Sequence, residues 1–93
     1  MIKGFADKET GKLWYRQRSK AVPANLQRKA LQKLTQLHLA ESLSDLRVTS
    51  GNGLEKLSGE WAGQHSIRIN DQYRVCFVWE EGDAHDVEIA DCH

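Results

Sequence analysis

Ninety-three residues, 40% hydrophobic and 28% charged, leave room for one modest core and exclude a second domain spanning part of 1–93. The net charge of zero argues against indiscriminate nucleic-acid binding, but it hides an asymmetry: residues 1–35 carry nine Lys/Arg against Asp7 and Glu9, and residues 36–93 carry four against eleven acids. Two readings stand open, a pair of mutually attracting, solvated halves or a basic face that meets RNA or an acidic partner.

Two cysteines, Cys76 and Cys92, make no disulfide framework. The opening MIKGFADKET lacks the apolar stretch of a signal peptide. No apolar run approaches the roughly 20 residues of a spanning helix. The expectation is a cytoplasmic protein with reduced thiols and no membrane association.

Ile2 to Phe5 is a short candidate strand. Asp7 suits the cap of a helix running through Leu13, Trp14 and Tyr15 to about Arg18, weakened by Gly11. Pro23 fits the first turn of a second helix, where its missing N–H costs nothing. Leu26, Ala30, Leu34 and Leu37 form its apolar stripe, with Gln27, Arg28, Lys29, Gln32 and Lys33 mostly outside. Ser42 to Leu46 reads as a helical turn, and Thr49 to Gly53 as a loop.

Beyond the loop the helical period gives way to alternation. His65, Ile67 and Ile69 alternate with Ser66, Arg68 and Asn70; a turn at Asn70 to Gln72 follows. Tyr73, Val75, Phe77 and Trp79 then alternate with Arg74, Cys76 and Val78. A second turn at Glu80 to Asp83 leads to Val87 and Ile89, alternating with Glu88 and Ala90. The pattern is α+β: an N-terminal strand and two helices packed on a small antiparallel sheet. Parity turns Ile67, Ile69, Val75 and Phe77 toward the helices and leaves Arg68, Arg74 and Cys76 on the open face. Whether the two arginines meet depends on a hairpin register that parity does not fix.

Arg68 and Arg74 flank one turn and, if paired, offer two guanidinium forks to a phosphate; otherwise they are surface arginines bridging Asp71, Glu88 or Asp91. His93 lies beside the chain-end carboxylate and near Asp91, anions that favour an imidazolium able to act as a general acid; the alternative is a frayed end without a role. Glu55 and Lys56 supply a proton acceptor and an ammonium, or else an exposed ion pair worth little. His65 reads as a half-buried structural histidine, Trp79 as core, and Trp61 as the candidate exposed ring for stacking on a base. No HExxH, CxxC, P-loop or dinucleotide fingerprint is present, so no metal or cofactor is expected. Phosphate-holding cations and a proton-moving imidazole on one sheet suggest chemistry on a phosphodiester.

Several stretches carry a resemblance: Met1 to Thr10, Ala40 to Arg47, Gly51 to Gly59, Gly63 to Phe77 with its SIRINDQYR block, and Asp86 to His93. Together they resemble the HigB toxins, or plasmid-maintenance killer proteins, of the RelE/ParE superfamily, over nearly the whole chain. The resemblance implies a single toxin domain over residues 1–93 with a RelE-like fold. It implies one member of a type II toxin–antitoxin pair, an endoribonuclease that cuts mRNA in the ribosomal A site by metal-independent attack of the ribose 2′-OH. The implied partners are the ribosome, mRNA and a HigA-like helix-turn-helix antitoxin, with operator DNA reached only through the antitoxin. Arg74 and Arg68 would hold the phosphate with support from Lys56, His93 would act as acid, and Asp91 would orient it or act as base, with Glu55 the second candidate base.

The family usually ends Asp-Tyr-His. Cys92 replaces that tyrosine and neither stacks nor donates as well, so altered or weakened cleavage is expected and Cys92 is a candidate modulator. Some members carry His where Glu55 stands, and Thr49-Ser50 replaces a common Pro-Pro, loosening that loop. The competing expectations are a non-catalytic inhibitor of the ribosome or of DNA gyrase, and a weakened toxin acting mainly as corepressor.

Overall fold

In the computed structural model, which describes residues 1–49, 51–57 and 63–91, the helical half of the sequence packs on one face of the sheet formed by the alternating half. Helix α1 spans Lys8–Trp14, α2 Gln27–Leu39 and α3 Leu43–Arg47; strands β1 (Glu55–Lys56), β2 (Gln64–Arg68), β3 (Tyr73–Glu80) and β4 (Asp83–Asp91) form an antiparallel sheet in the order β1-β2-β3-β4. Among the described residues no helix is long and apolar enough to cross a membrane.

Local chemistry sets the helix limits. Asp7 caps α1 by accepting from the Thr10 amide at 3.2 Å. The helix ends at Trp14, short of the expected Arg18, because Arg16 turns left-handed (φ 58°) and the Gln17 amide folds back onto the Lys12 carbonyl at 2.8 Å. The Arg16 guanidinium then donates to the Trp14 carbonyl and lies 5.7 Å over the Trp14 ring. Pro23 precedes a 3₁₀ turn, Ala24–Leu26, rather than entering the first turn of α2. Ser42 and Asp45 close a capping box on α3.

The expected N-terminal strand is reduced to two parallel bridges, Ile2 with Ala84 and Phe5 with Val87. Between the bridged β4 positions sits a bulge: Cys76 pairs with Glu88 but Val78 with His85, leaving one extra β4 residue, and Asp86 takes φ 50°. That extra residue interrupts the ladder the N-terminal segment would otherwise extend. β3 and β4 are joined through Glu81 and Gly82, both at positive φ (52° and 79°), as a two-residue hairpin with the twist of its strands requires.

Ile67, Ile69, Val75, Phe77 and Val87 are buried against Leu13, Leu34, Leu37 and Leu46, so the alternation assigned the helix-facing side correctly. Trp79 is half-buried at the rim of this core, edge-on to Phe77 at 6.3 Å. Two expectations fail. Lys33, placed outside the α2 stripe, is 7% exposed. Cys76, placed on the open face, is 3% exposed, and its cross-strand neighbour Ser66 is fully buried. That face is thus covered around Ser66 and Cys76, while Arg68, two residues along, is exposed.

Candidate functional site

The register of β2 and β3 decides the geometry. Arg68 pairs directly with Arg74, and Arg74 with Ala90 of β4. One step along, Glu55, Ser66, Cys76 and Glu88 form a parallel row. Positions two apart on a strand share a face, so both rows lie on the side away from the helices. Here a cleft of about 420 Å³ is lined by Glu55, Leu57, Arg68, Asn70, Asp71 and Arg74.

The turn that fixes this register is built by Asn70, whose Oδ1 accepts from the Gln72 and Tyr73 amides at 2.9 and 2.7 Å. The two arginines are held differently. Arg74 donates from Nε to Ser66 Oγ at 2.7 Å and from Nη2 to the Gly53 carbonyl, with a longer contact of 3.4 Å to the Ser66 carbonyl. Its guanidinium is fixed before any ligand arrives, while its Nη1 has no partner among the described residues. Arg68 is about half exposed and ion-paired with Asp71, itself 95% exposed. An incoming phosphate would replace Asp71 on Arg68 and would meet Arg74 already aimed.

Glu55 and Lys56, adjacent in β1, part company. Glu55 pairs with Ser66 on the cleft side, while Lys56 pairs with His65 on the opposite side. The cleft thus gathers Glu55, Arg68 and Arg74 of the expected residues and leaves Lys56 out. Asp91 pairs with Tyr73, on the strand side opposite Arg74, and its Oδ2 accepts from Gln72 Nε2 at 3.0 Å. Cys92, His93 and Trp61 lie outside the described residues. Among the described residues no group of His, Cys, Asp and Glu is arranged to hold a metal.

Sequence reasoning overlooked Asn52 and Ser66. Asn52 is fully buried: its carbonyl accepts from the Arg68 amide at 2.6 Å, and its side chain joins Lys33 to the Leu46 carbonyl. Its one sequence signal was an Asn between two glycines, Gly51 and Gly53.

His65 stacks on Phe77 at 6.1 Å, and its Nδ1 is buried without a partner among the described residues. Burial, then the charges of Lys56 and Arg47, push its pKa below the ordinary 6.5. The folded state thus disfavours protonated His65. The stability this contributes is full above about pH 6.5 and is lost as pH falls through the depressed value. Urea unfolding at pH 7.5 and 5.5 should show a smaller acid loss for His65→Gln than for the parent; equal losses would contradict this account.

The sequence model described as "RelE-like toxin of type II toxin-antitoxin system HigB" matches residues 3–93. The chain belongs to this HigB-like toxin family. It is 40% identical to Toxin HigB-1 of Vibrio cholerae serotype O1 over 65 residues, 70% of this chain and 68% of that protein. An uncharacterised protein of Haemophilus influenzae is 32% identical over 66 residues, 71% of this chain and 65% of its own length. The fold is similar to a chain of the YoeB-YefM complex from Staphylococcus aureus, with a TM-score of 0.62 at 16% identity over 100% of this chain and 98% of that one. The Arg68–Arg74 cleft is thus part of a RelE-like toxin of the HigB type.

Proposed function

We propose that this HigB-family toxin is a ribosome-dependent endoribonuclease that cuts mRNA in the A site, working in the cytoplasm without a metal. The observation that carries this reading is the direct pairing of Arg68 with Arg74 beside Glu55 on one open cleft. Paired guanidinium groups suit a phosphodiester because each presents a planar fork of donors. In the proposed reaction Glu55 takes the proton of the ribose 2′-OH as its oxygen bonds to the adjacent phosphorus. Arg74, already anchored, and Arg68, released from Asp71, stabilise the charge of the phosphorane. His93, oriented by Asp91, gives a proton to the 5′-oxygen as the P–O5′ bond breaks. The products are a 2′,3′-cyclic phosphate and a 5′-OH. Lys56 has no place in this scheme, given its position opposite His65. We assign as partner a HigA-like helix-turn-helix antitoxin, through which alone the pair reaches operator DNA.

A second reading, a non-catalytic inhibitor of the ribosome or gyrase, draws on Asp91 lying across the strand from Arg74, and Cys92 in place of the family's usual tyrosine favours it too. Primer extension on mRNA after brief induction without antitoxin separates the two. In-frame cuts within translated codons that vanish on deletion of His93 are expected. Growth arrest with uncut mRNA would reject the nuclease and make gyrase the next target.

A further inference from the structure

Lys33 occupies an unusual place. It sits on α2 between Ala30, Leu34 and Leu37, all fully buried, and is itself only 7% exposed. An apolar side chain would occupy this site without the cost of desolvating an ammonium. No carboxylate ion-pairs with Lys33 among the described residues; its Nζ instead donates to Asn52 Oδ1 at 2.6 Å. Burial, then the nearby Lys29, lower its pKa, as expected for a cation held without a counter-ion.

Asn52 passes this contact on. Its Nδ2 donates to the Leu46 carbonyl at 3.1 Å, its backbone N–H to the Thr49 carbonyl at 3.3 Å, and its carbonyl accepts from the Arg68 amide at 2.6 Å. Every polar group of Asn52 is thus engaged, and the next residue is fixed with it. Gly53, at φ 50°, presents its carbonyl to Arg74 Nη2. Three links therefore run from α2 to the cleft, joining Lys33 to Asn52, Asn52 to Gly53 and Gly53 to Arg74.

We propose that Lys33 is a positioning residue for Arg74, acting through Asn52 and the Gly53 carbonyl to hold the guanidinium aimed into the cleft. The role in RNA cleavage rests on the nuclease reading; the role in holding Arg74 does not. The decisive measurement is the solvent protection of the Arg74 Nη–H protons, which donate to the Gly53 carbonyl, in the ¹⁵N-labelled full chain, with Ser66→Ala as the control that releases the Nε–H side of the same guanidinium. Lys33→Met keeps the volume and removes the donor. It should lose solvent protection of the Arg74 Nη–H protons and cut RNA at least about tenfold more slowly, since displacements of about 1 Å at a reacting centre cost up to about a hundredfold. Its melting temperature should change little, because relief of the buried charge is offset by the acceptor left unpaired on Asn52. Lys33→Gln keeps a donor and should recover much of both signals.

An Arg74 resonance equally protected in parent, Lys33→Met and Lys33→Gln would overturn the proposal. So would slower cleavage by Lys33→Met with Arg74 protection unchanged. A parent that cuts no RNA would remove the nuclease reading, while the Arg74 resonance would still decide the positioning role. Should Lys33→Met not fold, Asn52→Ser breaks the chain one link later and must show the same loss of protection.

Discussion

Replacing Arg74 with alanine should abolish growth arrest and mRNA cleavage while leaving a folded protein. Arg74 is the one guanidinium in the cleft held by several bonds, to Ser66 and to the Gly53 carbonyl, so its donors need no rearrangement when charge develops on a phosphorane. Loss of one such preorganised donor typically slows the chemical step by about 10²–10³. Arg74→Lys should fare little better, because an ammonium cannot hold Ser66, Gly53 and a phosphate with one planar fork. Arg68→Ala should cost less, since Arg68 starts tethered to Asp71 and must first be released. Growth curves and primer extension would read activity, and thermal melting would read folding. A fully toxic Arg74→Ala with intact expression would remove the cleft from the mechanism.

What the sequence revealed follows from how far each signal reaches. Alternation is local, and it assigned Ile67, Ile69, Val75 and Phe77 to the core side. It could not reveal that Arg68 faces Arg74, because pairing depends on how Asn70 caps the turn with two side-chain bonds. In the structure Asp91 is in phase with Val87 and Ile89, across the strand from Arg74. From sequence Asp91 is grouped with the arginines all the same, as a candidate ion-pair partner and, through the family resemblance, as a catalytic residue. Cys76 was misplaced because parity names a face but not what covers it. Its cross-strand neighbour Ser66 is buried with it and accepts from Arg74, which also reaches the Gly53 carbonyl, contacts distant in sequence. Lys33 was unreadable for a related reason. A lysine beside an apolar stripe is ordinarily solvated, and only the buried amide of Asn52, nineteen residues away, explains its burial. The end of α1 carries neither Gly nor Pro, so a left-handed Arg16 gave no warning.

Phe77→Ala should be the most damaging single change to the fold. Phe77 is fully buried, stacked on His65 at 6.1 Å and edge-on to Trp79 at 6.3 Å, and it pairs with His65 across β2–β3. Truncation removes a large apolar surface and leaves a cavity among neighbours fixed by the sheet. The expected cost is about 3–5 kcal/mol. Domains of this size hold only about 5–15 kcal/mol in total, so the melting temperature should fall by roughly 15 °C or more. The consequence for activity differs in kind from that of Arg74→Ala. Phe77 does not line the cleft, so any lost toxicity should return as temperature falls and the folded fraction recovers, whereas Arg74→Ala should stay inactive at every temperature. A partner that binds only the folded toxin should raise the melting point of Phe77→Ala, by an amount that grows with the logarithm of one plus its free concentration over its Kd. A Phe77→Ala protein that melts within a few degrees of the parent would mean that the β2–β3 hairpin does not depend on this ring, and that the site's rigidity comes from the Asn70 turn and the Asn52 contacts instead.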